Sequence, residues 1–154
     1  MSAMGLFNRY QPVRLIVVDG ISMEPSLMDR QMIAARTLGH VQIGDVVVFH
    51  YKGEQLIKRV QAKAWDKVVL FRAGAGSDRD YVARGQESAF NKALSIHPDW
   101  ITEKYIVPIG YVFVTGDNDL FSVDSRDFGP IPLSSIEAIL PPVKNKGSNG
   151  YFSL

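Results

Sequence analysis

Two side chains in this sequence could share the work of breaking an acyl bond, the hydroxyl of Ser22 and the amine of Lys58. Ser22 lies in Gly20-Ile21-Ser22-Met23-Glu24-Pro25-Ser26-Leu27, directly after the apolar run Leu15-Ile16-Val17-Val18, which reads as a buried strand. Asp19-Gly20 ends that strand, because glycine accepts backbone angles that β-branched residues resist. Pro25 fixes φ and removes a donor, so the chain turns away. A hydroxyl just beyond a strand end can be held rigidly and still be reached. The ordinary task of such a serine is to cap its own turn, so Ser22 alone decides nothing.

Lys58 sits in Gln55-Leu56-Ile57-Lys58-Arg59-Val60-Gln61, a stretch of strand composition. Alternation puts Leu56, Lys58 and Val60 on one face and Ile57 and Arg59 on the other. An ammonium between two apolar neighbours is partly desolvated, which lowers its pKa. To serve as a base near neutral pH it must fall about 3 units from ~10.4, roughly 4 kcal/mol. The competing role is a lysine that snorkels to water or pairs with Asp45 or Asp117.

A third stretch, from Gly116-Asp117-Asn118 through Ser122-Val123-Asp124-Ser125-Arg126 to Gly129-Pro130, is rich in carboxylates. Asp117, Asp119, Asp124 and Asp127 could suggest calcium, but the spacing lacks the glycine and glutamate of an EF-hand loop. An acidic surface loop with a local Asp-Arg pair also suits these residues. With the Gly44-Asp45-Val46-Val47 box between them, the three stretches in this order resemble the type I signal peptidases, serine proteases that use a Ser-Lys pair. The four boxes span most of residues 15–136.

That resemblance implies a mainly β fold: a compact, partly open antiparallel barrel with one or two short helices in an insertion. It implies that Ser22 attacks and Lys58 takes the proton, with no cofactor and no metal. The Ser22 backbone N–H would hold the oxyanion. Position 20, where some members carry a second serine donor, is glycine. Ser122 would donate to the lysine nitrogen and orient it, while Asp124 and Arg126 pair to fix the loop, the third-group role that an activated nucleophile calls for. Val18, Met23, Leu27, Leu56 and Ile57 fall near the nucleophile and would shape shallow substrate pockets. The implied substrates are exported precursors with signal or pro-peptides, cut after small residues in an Ala-x-Ala pattern. The site would then be membrane-associated and extracytoplasmic.

The elements that must position these groups can be read along the chain. Residues 32–37 are strand-like, 46–51 form a strand apolar on both faces, and Lys52-Gly53-Glu54 turns into the Lys58 strand. Where the family shows a Gly-x-Pro-Gly-Asp turn, this chain has Gln61-Ala62-Lys63-Ala64-Trp65-Asp66-Lys67, which leaves the register of the next strand, 68–72, open. Residues 78–105 read as a variable insertion. Within it 86–95 form a helix with Phe90, Ala93 and Leu94 on one face, stopped by His97-Pro98-Asp99, and packing as a cover over the barrel is its expected role. Residues 111–115 form a strand into the third box, 133–137 a helical turn and 138–140 a last strand. The expected division is an arm at 1–12, one catalytic domain at 13–140 and a mobile tail at 141–154.

Composition narrows the classes. The chain has 154 residues, enough for one domain with a real core. Its net charge of +1 makes no electrostatic case for nucleic acid. Cysteine is absent, which excludes thiol catalysis, disulfides and thiolate metal sites. His40, His50 and His97 show no ligand spacing, although His50 on its strand could in principle serve a triad. Residues 1–12 hold no run long enough for a signal peptide or a membrane span. The expectation is therefore the catalytic part of an anchored chain, or one that is soluble or attached peripherally at the membrane surface. Alternative readings are a dedicated maturation protease of the nickel superoxide dismutase or mitochondrial inner-membrane type, a LexA-like autopeptidase, and a non-catalytic β-barrel binding module. No helix-turn-helix is present to favour the LexA-like one.

Overall fold

The computed structural model describes residues 12–37, 39–72, 79–82 and 87–147, with 79–82 described by backbone alone. Of the arm expected at 1–12 only Pro12 is among them. The elements follow in the order β1 (Val13–Val17), β2 (Met32–Arg36), β3 (Val46–Tyr51), β4 (Glu54–Lys63), β5 (Lys67–Arg72), β6 (Arg79–Val82), α1 (Glu87–Ile96), β7 (Ile101–Ile106), β8 (Tyr111–Thr115), α2 (Ser125–Phe128), β9 (Ile131–Pro132), a 3-10 turn at Leu133–Ser135 and β10 (Ile136–Ile139). The described pairings are all antiparallel. They form a seven-stranded sheet in the order β1-β2-β10-β3-β4-β8-β9 and a three-stranded sheet β6-β5-β7. The large sheet begins at β1 and ends at β9 without those two pairing, so the barrel is open.

β3 lies at the centre of the large sheet and is buried on both faces. Val46 and Val48 enter one apolar cluster with Ile16, Val18, Met23 and Leu27. Val47 and Phe49 enter a second with Val60, Val112, Val114 and Ile131. Lys52 (φ 48) and Gly53 (φ 84) form the two-residue turn that lays β4 back along β3, pairing Val47 with Lys58. Two positive-φ residues match the right-handed twist of the flanking strands.

β1 departs from the expectation of a buried strand. Ile16 is buried, while Val13, Leu15 and Val17 are 52–67% exposed. β1 ends the sheet and only one of its faces meets the core, so a continuous apolar sequence behaves as an alternating one.

The unfamiliar turn after Lys58 sends the chain out of the large sheet. A bulge between Val60 and Ala62 bends β4, and Ala64-Trp65 turns it, with Trp65 at φ 72. Among the described residues β5 then pairs with β6 and β7 alone, so the 78–105 insertion completes the sheet that β5 starts. Phe90 of α1 packs on Val69 and Phe71 of β5, joined by Leu94 and Trp100. Phe71 stacks on Trp100 at 5.0 Å between ring centres. Within the described residues of the tail expected to be mobile, 141–147, the chain is held. Val143 joins the first cluster, its carbonyl accepts from Arg59 Nη1 at 2.8 Å, and Lys146 N–H donates to Ser26 Oγ at 2.9 Å. Among the described residues no helix is long and apolar enough to cross a membrane.

Candidate active site

Ser22 belongs to the turn that leaves β1. Gly20, at φ 88, donates its N–H to Asp29 Oδ1 at 2.8 Å, a conformation that favours glycine. The next turn closes through Glu24 N–H to the Ile21 carbonyl and Leu27 N–H to the Met23 carbonyl. Val18, Met23 and Leu27, expected near the substrate, are 1–2% exposed and belong to the core under this turn. Ser22 itself is half-buried.

Lys58 reaches this hydroxyl from β4, with Nζ 2.7 Å from Ser22 Oγ. Its Leu56 and Val60 neighbours pack into the second cluster, Ile57 packs into the first, and Lys58 is only 3% exposed. Burial pulls its pKa from 10.5 down to about 8. The carboxylates of Asp124 and Asp117 push it back up and the Arg126 guanidinium pulls it down, but loss of water is the largest effect.

Those carboxylates are held by arginines. Asp124 is fully buried and accepts from Arg126 Nε at 2.9 Å and Nη2 at 2.8 Å, from Gly116 N–H at 2.8 Å and from the Ser122 hydroxyl at 2.7 Å. These donors outweigh its burial and hold its pKa below the ordinary value. Asp124 also caps the four-residue α2, while the Asp127 carboxylate accepts from the Asp124 N–H. Asp119 lies 3.6 Å from Arg126 Nη1. Asp117 forms a two-point pair with Arg59, at 2.9 and 2.7 Å, so it is not the partner of Lys58. The expected bond from Ser122 to the lysine nitrogen needs correction: the one hydroxyl proton goes to Asp124, a carboxylate with none of its own to give. His50, weighed for a triad, instead meets Glu137 at 2.7 Å.

Sequence reasoning missed how the third box grips the serine turn. Asn118 donates its N–H to the Ser22 carbonyl and its Nδ2 to the Ile21 carbonyl, both at 3.0 Å. Gly116 lies where a Cβ would collide with the Ser122 hydroxyl and come within 2.5 Å of the Ser22 carbonyl oxygen. Gly116→Ala must therefore spread the two loops. Its expected result is about 100-fold less activity with the far-UV circular dichroism unchanged, since a displacement near 1 Å costs about that much. Arg59 was also legible in part: an always-charged guanidinium facing into a sheet needs a carboxylate.

A serine hydroxyl held against a desolvated amine, with the amine flanked by buried ion pairs, is the arrangement of a candidate nucleophile and a candidate base. The family model described as signal peptidase, peptidase S26, matches residues 1–141. Signal peptidase I of Bacillus caldolyticus is 32% identical over 132 residues, covering 78% of this chain and 72% of the relative. Signal peptidase IB of Staphylococcus aureus (strain Mu50 / ATCC 700699) is 31% identical over 135 residues, covering 77% and 71%. The chain belongs to the signal peptidase family and is a serine endopeptidase.

Proposed function

We propose that this chain removes signal or pro-peptides from exported precursors, cutting after small residues, with Ser22 as nucleophile and Lys58 as general base. The observation that carries the reading is the 2.7 Å contact between a half-buried hydroxyl and an amine whose pKa is drawn down to about 8. With the amine neutral, Ser22 Oγ attacks the scissile carbonyl carbon and its proton passes to Lys58 Nζ. The tetrahedral intermediate then collapses, and Lys58 returns that proton to the departing amine. Water then attacks the ester left on Ser22; Lys58 takes the water's proton and returns it to Ser22 Oγ as the acid departs, which restores both groups.

The Ser22 N–H has no acceptor among the described residues and is the donor for the oxyanion. Asp124, Arg126 and Ser122 keep the loop and its charges in place around the amine. The packed Val18, Met23 and Leu27 side chains leave little depth under the nucleophile, and the half-buried Leu56 and Ile57 border the lysine. Both features suit the short side chains of an Ala-x-Ala motif. Precursors of this kind emerge on the outer face of a membrane, and that is where the site would work.

The test is cleavage of a peptide carrying Ala-x-Ala, read by mass spectrometry, with and without detergent or lipid. One cut after the second alanine, absent with Ser22→Ala, is the expected result. Cutting that persists in Ser22→Ala would overturn it.

A further inference from the structure

The loop that grips Ser22 presents apolar side chains to solvent. Leu120 is 74% exposed, Phe121 63% and Val123 68%, three large apolar residues within four positions. Exposed apolar residues ordinarily scatter singly, and a cluster beside a site marks a contact. Ile21, 44% exposed, adds a fourth side chain from the serine turn, joined to this loop through Asn118.

The loop is held in place. Asn118 bonds to both Ile21 and Ser22, Phe121 N–H donates to the Asn118 carbonyl at 3.2 Å, and Ser122 donates to Asp124. Ser122, between Phe121 and Val123, and the Ser22 carbonyl both crowd the single Cβ position of Gly116. The loop that carries the apolar lip therefore adjoins the turn that carries Ser22. Its charged neighbours are mixed: Asp119 and Asp127 lie on the same stretch, Arg126 is buried on Asp124, and exposed Lys146 comes from the tail packed against Asp117 and Ser26. Charge therefore does not select the occupant; Ile21 adjoins Ser22 in the chain, so a peptide held at Ser22 is the occupant that must meet this surface.

We propose that Leu120, Phe121 and Val123, with Ile21, form a specificity lip that binds one large apolar side chain of the precursor beside the scissile bond. This rests on the peptidase reading above and adds to it a second selection beyond the small residues. A lip already rigid loses little entropy on binding, so its burial appears in affinity.

The experiment uses fluorescent peptides with an Ala-x-Ala frame on a Ser and Gly background. A single Leu is walked through the remaining positions, with an all-Ser peptide as reference. Binding is read by anisotropy in the Ser22→Ala protein, and cleavage in the parent. One Leu position should tighten binding about tenfold over the reference, the scale a well-matched apolar contact gives. Adding Leu120→Ser and Phe121→Ser together should remove that gain and leave the reference peptide unchanged, while Phe121→Leu should retain most of it.

The lip is overturned if no position discriminates, or if the double change weakens every peptide alike, which would mark a role in positioning the loop. It is also overturned if discrimination appears only with anionic vesicles, which would mark a membrane contact. Binding is read without cleavage. A parent that cuts nothing while the Leu gain persists would therefore sink the signal peptidase reading and leave a peptide-binding lip.

Discussion

Cleavage should rise with pH through an apparent pKa of about 8 in kcat/KM, the value at which Lys58 loses its proton. One unit below, at pH 7, only about a tenth of the molecules carry the neutral amine, so the rate there should be about a tenth of its plateau. Lys58→Arg should be inactive at any accessible pH, because a guanidinium does not give up its proton. Lys58→Met should lose about 10²–10⁴ in rate, the usual contribution of a positioned base. Stability should rise with pH as well, over a higher window. The folded pKa is depressed, so between about 8 and 10.5 the unfolded chain binds more protons and stability increases with pH. Below pH 8 the full cost of burying the ammonium, about 3 kcal/mol, weighs on the fold. Lys58→Met should therefore be more stable than the parent at pH 6, and the gap should close toward pH 10.5. Denaturant titrations at several pH values, set beside the rate profile, read both effects. A profile that survives Lys58→Met would remove this lysine as the base.

The same lysine shows how far the sequence carries. Alternation put Lys58 between Leu56 and Val60, and the turn at Lys52-Gly53 supplied a hairpin to hold that face inward. β3 and β8 were readable because long apolar runs need burial on both sides. Local patterns do not say which segments meet. The sequence separation of 36 from Ser22 to Lys58 is bridged only when β1 and β4 settle around the core. The order of the boxes suggested that meeting through resemblance, not through any residue between them. The loop contacts were hidden for the same reason. Nothing near Ser122 in sequence says that its proton goes to Asp124, and nothing near Val143 says that its carbonyl serves Arg59. The path of β5 was illegible because it follows the bend made by one extra residue at the Val60/Ala62 bulge, which composition does not encode.

Asp117→Ala should be the most damaging single change to stability, costing about 3–5 kcal/mol because it strands a buried guanidinium. Arg59 and Asp117 side chains are 6% and 1% exposed, and the pair has two short bonds. For a chain of this size that loss lowers Tm by about 10 °C. Replacing both partners with apolar residues, Arg59→Met with Asp117→Leu, should recover much of it, since no charge is then buried alone. Recovery should fall short by about 1–3 kcal/mol, because the carbonyls of Gly44 and Val143 lose the Arg59 donor. Activity should not return with stability. Arg59 adjoins Lys58 on β4, and Asp117 lies between Gly116 and Asn118, which meet the Ser22 carbonyl. The ion pair thus fixes the strand that carries Lys58 against the loop that holds the Ser22 turn. A double variant that regains most of its Tm yet cleaves at least tenfold more slowly than the parent would separate the two roles. One that regains both would make the pair a matter of folding alone.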